Sequence, residues 1–386
     1  MIPYGKQNIN EDDVNAVVDV LRSDFLTQGP AVPLFESEVA NYCGAKFAVA
    51  SNSASSSLHL ACLALNVGKG DKVWVSSITF VASSNCALHC GADIDFVDID
   101  PHTYNISIES LTNKLEDAHK NKILPKVIIV VHMCGQSCDM EKIYSLSLKY
   151  GFKIIEDASH ALGGKYQDSN VGNCKYSDIA IFSFHPVKII TSGEGGIATT
   201  NNEIYYKKMF SLRTHGIVRN DFQMKNETDG SWYYEQQSLG FNFRMTDLQA
   251  ALGISQMKRL DDFIFQRNLI AKKYNDKLKN LPLSIPCILE NCYSSFHLYV
   301  IRLKTKEIKN SHQDVFEKLR TLNIGVNLHY MPVYNHPYYQ RLGFNYNYCN
   351  EASSYYAEAI SLPIYPDLSE NLQDSVVSAL YESIFK

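Results

Sequence analysis

Lys188 lies in the segment SFHPVKIITSGEGG (183–196), just past the apolar run Ile179–Phe184. A residue at the carboxyl end of a parallel strand faces the crevice where open α/β sheets bind ligands. An amine placed there forms a Schiff base with a carbonyl compound when burial or neighbours lower its pKa. The glycines that follow let the backbone turn tightly and come close to a ligand. Taken alone, such a lysine is most often a solvated loop residue, so the chemistry rests on its companions.

Three other groups end apolar runs in the same way. Phe152–Ile155 runs into EDASHALGG (156–164), where Asp157 is placed to hold a pyridinium N–H and keep the ring an electron sink. His160 then falls near the ring's phenolic oxygen. Read singly, Asp157 is equally a helix N-cap and His160 a structural histidine. Asn52–Ser57 (NSASSS) links the run Phe47–Ala50 to a helix with Leu58, Ala61, Cys62 and Leu65 on one face. Backbone N–H groups and hydroxyls at a helix start form an anion site that suits a phosphate monoester, although a serine-rich start is often only a cap. Phe80, beyond Val73–Ile78, can stack on a flat ring, or simply be core. An amine, an acid, an anion cradle and a stacking face together match the needs of pyridoxal 5′-phosphate (PLP).

The elements that must position these residues are legible as a pattern. Apolar runs at Phe47–Ala50, Val73–Ile78, Ile94–Val97, Val127–Val131, Phe152–Glu156, Ile179–Phe184 and Gly196–Thr199 alternate with helical periodicity. This predicts a seven-stranded, mostly parallel sheet in an α/β fold. Ahead of it, Val14, Val17, Val18 and Leu21 recur at helical spacing behind Asn10, an N-cap. Lys225–Gln237 is polar and reads as a loop or insertion. Thr246-x-x-Gln249 is a capping box opening a helical stretch from Asp247 to about Leu278, with a break near Asp261-Asp262. The division expected is a large domain at 1–246 and a smaller α/β domain at 247–386. In the latter, Phe296–Leu303 and Gly325–His329 read as strands, and Glu351–Ile360 and Ser369–Ile384 as helices.

Composition removes other classes. The chain carries 36 Lys+Arg against 41 Asp+Glu, a formal net charge of −5, so the basic stripe that a nucleic acid rewards is not expected. Neither GxxxxGK[ST] nor a GxGxxG after a strand is present, which weighs against triphosphate and Rossmann readings. The ten cysteines include Cys134-x3-Cys138 and Cys86-x3-Cys90; neither makes a four-ligand zinc set, and no metal is expected. With no signal-like start and no apolar stretch of about 18 residues, the expectation is a cytoplasmic protein with reduced thiols and no membrane partner. Asn105-Ile-Ser107 and Asn226-Glu-Thr228 fit a glycosylation pattern that matters only on secretion.

Across essentially its whole length the sequence resembles the DegT/DnrJ/EryC1/StrS nucleotide-sugar aminotransferases. The likeness is carried by LTQGP (26–30), NSASSSLHL (52–60), SSITFVASSN (76–85), EDASHALG (156–163), SFHPVK (183–188), TSGEGG (191–196), RTHG (213–216), LGFNFRMTDLQAALG (239–253) and HYMPVY (329–334). The resemblance implies the PLP-dependent transferase fold type I, with Lys188 as the catalytic lysine bonded to PLP. It implies that Asp157 pairs the pyridine nitrogen, that His160 lies near the phenolic oxygen and that Phe80 stacks on the ring. Ala54, Ser55 and Ser183 would hold the phosphate, and Asn242 would reach it from the second subunit of an obligate homodimer. The substrate contacts implied are Tyr4, Asp24, Phe25, Leu26, Thr27, His329 and Tyr330. The family's phosphate loop usually reads Ala-Thr-Ser, and Ala54-Ser55-Ser56 keeps the hydroxyl. Trp232–Gly240 and RTHGI resemble most the family's C4 aminotransferases of the pseudaminic acid pathway, which act on a UDP-linked 4-keto-6-deoxy-N-acetylhexosamine with L-glutamate as donor. Alternatives are a 4-amino-arabinose, perosamine or 3-amino type enzyme, or a non-catalytic binding or regulatory protein on the same fold.

Overall fold

The computed structural model describes residues 1–218 and 230–386. All seven expected runs join one sheet, ordered Phe47–Ser51, Gly196–Thr200, Ile179–Ser183, Lys153–Asp157, Val127–Val131, Lys72–Ser76 and Asp93–Val97. Only Gly196–Thr200 runs antiparallel to its neighbours, and the other pairings are parallel. Every residue of Val127–Val131 is buried, as a strand covered by helices on both faces requires. The register sets Val131 opposite Asp157 and Asp157 opposite Ile181. Gly196 stands opposite both Ser51 and Ser183, so the chemistry-bearing segments leave one edge of the sheet.

The first helix, Glu11–Leu21, forms with Asn10 and Asp13 in a reciprocal capping box. Its expected apolar stripe is not its anchor, because Val14 and Leu21 are exposed. Asp13 is fully buried instead; its Oδ2 accepts from Gln256 Nε2 at 2.7 Å and pairs with Arg259. Thr246 and Gln249 close the expected capping box on helix Asp247–Met257. The helical break falls at Lys258-Arg259 rather than Asp261-Asp262, since the second helix starts at Leu260 and Arg259 turns its side chain toward Asn8 and Asp13.

A second apolar core begins near Ile270 and surrounds a three-stranded antiparallel sheet of Leu283–Ser284, Tyr299–Leu303 and Ala359–Leu362. Two expectations are corrected here. Gly325–His329 is no strand: Gly325 N donates to Ile2 O at 2.6 Å, and one bridge joins Asn327 to Ser361. The strand is Ala359–Leu362, which follows directly on helix Asn350–Glu358. The expected C-terminal helix spans Glu370–Phe385 behind the Ser369 cap. Of the expected loop Lys225–Gln237, residues 225–229 lie outside the described residues, as does Asn226-Glu-Thr228. Glu235–Gln236 pairs with Ile217–Val218. No helix among the described residues is long and apolar enough to cross a membrane.

Candidate active site

A cavity of about 920 Å³ opens at the carboxyl edge of the large sheet, lined among others by Ala54, Ser55, Phe80, Asp157, His160, Ser183, Lys188, Tyr4, His329 and Tyr330. Lys188 is carried on a loop that closes on itself. Phe184 N donates to Gly195 O at 2.9 Å, Ser192 N and Thr191 Oγ1 both donate to Phe184 O at 3.0 Å, and Gln249 Nε2 fixes Glu194 O at 2.7 Å. Lys188 is half-buried. Burial lowers its pKa to about 8, against the opposing pull of the Asp157 carboxylate, so the amine is partly neutral near physiological pH.

Asp157 ends its strand buried and held by hydroxyls. Its Oδ2 accepts from Ser83 Oγ at 2.6 Å, and its Oδ1 accepts from Ser159 Oγ at 2.5 Å and Ser159 N at 3.2 Å. These bonds fix the carboxylate's direction into the cavity. Its strand neighbour Glu156 points to the opposite face, as alternate positions must, and meets His132 Nε2 at 2.6 Å. His132 Nδ1 accepts from Cys138 N at 3.0 Å, so its Nε2 carries the proton and donates to Glu156.

His160 is buried, with Nε2 at 3.1 Å from the Tyr330 hydroxyl and Nδ1 without a protein partner. Its ring lies 4.4 Å from that of His297, another buried imidazole whose Nδ1 is unpartnered. Burial, and then the Lys188 ammonium, push both imidazoles well below the usual histidine range and His329 down to about 3. All three are neutral at physiological pH. The N-terminal arm brings Tyr4 within 5.1 Å of the His329 ring, and Ile364 N anchors it through Tyr4 O at 3.0 Å.

The helix Ala54–Ala64 starts over the antiparallel strand, with Ser53 as N-cap accepting from Ser56 N at 3.2 Å. A Cβ on Gly196 would stand 2.3 Å from Ala54 N, so only glycine lets the helix start come this close. Ser55 is exposed at that start, and Ser183 lies across the register from Gly196. Phe80 is 58% exposed, which leaves a ring face open to the cavity it lines. Asp24, Phe25, Leu26, Thr27 and Asn242 are all exposed and do not line the cavity of their own chain. Sequence reasoning missed Ser83, Ser159 and His297. Ser83 and Ser159 sit inside quoted motifs, but a serine gives no sign of which acid it meets; His297 had only the neighbouring strand as signal.

The sequence profile of the DegT/DnrJ/EryC1/StrS aminotransferase family matches residues 7–381. The chain belongs to this family. It is 38% identical to the UDP-4-amino-4,6-dideoxy-N-acetyl-beta-L-altrosamine transaminase of Campylobacter jejuni strain 81-176, over 97% of this chain and 95% of that one. It is 36% identical to the spore coat polysaccharide biosynthesis protein SpsC of Bacillus subtilis, over 99% and 97%. Its fold superposes on Helicobacter pylori PseC, an aminotransferase involved in the biosynthesis of pseudoaminic acid, with a TM-score of 0.89, 30% identity and 99% of both chains covered. The enzyme is thus a PLP-dependent sugar aminotransferase of fold type I. The site fits that cofactor on its own chemistry. A partly neutral amine, a buried carboxylate pinned by two hydroxyls, an orphaned imidazole nitrogen and a glycine-dependent helix start all meet one cavity.

Proposed function

We propose that this enzyme moves the amino group of L-glutamate to C4 of UDP-2-acetamido-2,6-dideoxy-β-L-arabino-hexos-4-ulose, giving UDP-4-amino-4,6-dideoxy-N-acetyl-β-L-altrosamine. The observation that carries the reading is the convergence of Lys188 and Asp157 on one cavity, in a chain 38% identical to a transaminase named for that product. The volume of about 920 Å³ is in the range that accepts a cofactor and a sugar together.

Bound there, PLP supplies a carbonyl carbon that condenses with amines and a protonated ring that takes up a carbanion's electrons. Lys188 Nζ holds the cofactor, removes the proton from glutamate Cα and, in the second half-reaction, drives the opposite proton shift that leaves one at the sugar's C4. Asp157 accepts the pyridine N–H, and Ser83 and Ser159 keep that carboxylate aimed. Neutral His160 would stand near the phenolic oxygen, and Phe80, whose ring is open to the cavity, would cover a ring face. The backbone at Ala54 with the hydroxyls of Ser55 and Ser183 receives the phosphate. Tyr4, His329 and Tyr330 wall the sugar side. The active unit in this reading is a homodimer, in which Asn242 and the Asp24–Thr27 segment of one copy complete the cavity of the other.

The similarity to SpsC, 36% over 99% of the chain, favours a second reading with another nucleotide-linked keto sugar. A panel of such sugars, assayed with glutamate for kcat/KM and with the product's stereochemistry read by NMR, separates the two. Selective amination of the UDP-linked arabino-hexos-4-ulose supports the first reading, and preference for a different keto sugar replaces it with the second.

A further inference from the structure

The cavity wall that carries His329 and Tyr330 also carries Asn327 and Leu328. Asn327 is tied by its backbone to the small sheet, with Ser361 N donating to Asn327 O at 2.8 Å and Asn327 N to Ser361 O at 3.3 Å. Its side chain has one orientation. Oδ1 accepts from Leu328 N at 2.8 Å, and Nδ2 stands 3.3 Å from His329 Nε2. Turning the amide over would set two donors against each other at Leu328. Because Nδ2 can only donate, His329 Nε2 is the acceptor, and the imidazole proton lies on Nδ1, which donates to Ser361 Oγ at 2.8 Å. His160 and His297 have Nδ1 atoms without a protein partner, whereas both nitrogens of His329 are engaged. His329 therefore offers the cavity no N–H of its own.

The amide has a second hydrogen to give. Tyr4, which lines the same cavity, meets it: burial raises the pKa of the Tyr4 hydroxyl above its usual range, and hydrogen bonding from Asn327 works against that rise. A phenol oxygen is a weaker acceptor than an amide carbonyl, so a substrate carbonyl displaces it. The surroundings are largely apolar, with the Tyr4 ring 5.1 Å from that of His329 and Leu328 and Tyr330 on the same wall. One fixed N–H beside apolar side chains suits an acetamido group, whose carbonyl accepts and whose methyl is covered. A hydroxyl in its place would meet the donor and leave the apolar surface bare.

We propose that Asn327 is a specificity-determining residue of the sugar half-reaction, giving its remaining N–H to the carbonyl oxygen of the substrate's 2-acetamido group. This rests on the substrate reading above and says which of its groups the wall recognises. His329 holds the amide in place from behind, and Ser361 holds His329.

The test compares kcat/KM for two UDP-linked 4-keto-6-deoxy sugars of one configuration, one bearing an acetamido group at C2 and one a hydroxyl, in the PLP-loaded wild type, Asn327→Asp and Asn327→Ala. The expected result is a wild-type preference for the acetamido sugar that falls by at least about 10-fold in both variants, the worth of one hydrogen bond. A ratio of two rates from one sample is insensitive to the fraction of protein that is folded. Nitrogen-15 NMR of labelled histidine reads the imidazole separately: His329 should carry its proton on Nδ1 in the wild type and be protonated at Nε2 in Asn327→Asp, where an acceptor replaces the donor. An acetamido preference that neither variant changes, or a wild-type His329 protonated at Nε2, would overturn the proposal and leave the substrate reading standing. A wild type that prefers the hydroxyl sugar would overturn both.

Discussion

The cavity and the surface segments around Asp24–Thr27 and Asn242 make an instructive pair. Both belong to motifs that the sequence shares with one family, yet a single chain brings only the first set together. Lys188, Asp157, His160, Phe80 and the Ser53–Ser56 helix start converge because parallel strands end at one edge of one sheet. Phe25 and Leu26 stay 53% and 48% exposed, and Asn242 is exposed beside the bridge it makes with Thr214. Chain topology collects the groups that we assign to the cofactor. The groups assigned to completing its surroundings wait, in our reading, for a second copy.

The largest expected effect breaks the first half of that pair. Lys188→Ala removes the amine and abolishes turnover, a loss of at least about 10⁴-fold measurable by product formation. Asp157→Asn leaves the fold intact and lowers kcat by roughly 10²–10³-fold. The second half is sharpened by mixing. Lys188→Ala and Asn242→Ala proteins, unfolded and refolded together, should regain activity well above either variant alone, because one site of each mixed dimer is then whole. No regain would confine Asn242 to its own chain's site, or to none.

A smaller effect belongs to Ser83. Removing its hydroxyl leaves the buried Asp157 carboxylate short of one hydrogen bond, a cost of about 1.5–3 kcal/mol that corresponds to roughly 10- to 100-fold in rate if it is expressed fully in the transition state. The visible band of the bound cofactor should shift with it, which a merely structural role would not produce. Smallest is the pH effect. Burial sets the Lys188 pKa at about 8 against an ordinary 10.5, so the folded cofactor-free protein holds fewer protons than the unfolded chain between those values. Its stability from this group rises with pH across that window and is lost as pH falls through about 8. Capture of added PLP by the cofactor-free protein should accelerate with the same midpoint, whereas a midpoint near 10.5 would mean an ordinary lysine.

The large sheet was legible because its strands are buried on both faces and read as continuous Val/Ile runs, such as Val127–Val131. The caps at Asn10 and Thr246 were legible because side-chain chemistry fixes them locally. What escaped depended on tertiary partners. The Val14–Leu21 stripe promised apolar anchoring, yet the helix is tied down by Asp13 to Gln256 and Arg259, more than two hundred residues away in sequence. Gly325–His329 has the composition of a strand but loses its ladder to the N-terminal arm at Ile2, which leaves His329 and Tyr330 facing the cavity. Ala359–Leu362 was masked by the helix that runs into it. In the site, Lys188, Asp157 and His160 announced themselves as rare types at strand ends. The serines that hold Asp157 did not, since hydroxyls serve caps and turns everywhere.

The most direct test of the account is the visible absorption spectrum of the purified, PLP-loaded enzyme during two additions. Glutamate should bleach the band of the lysine-bound cofactor, and the UDP-linked 4-keto sugar should then restore it, with Lys188→Ala responding to neither as a catalyst. A band that glutamate leaves unchanged, or a protein that shows none after PLP is added, would contradict the central claim that Lys188 and Asp157 form the working core of an aminotransferase.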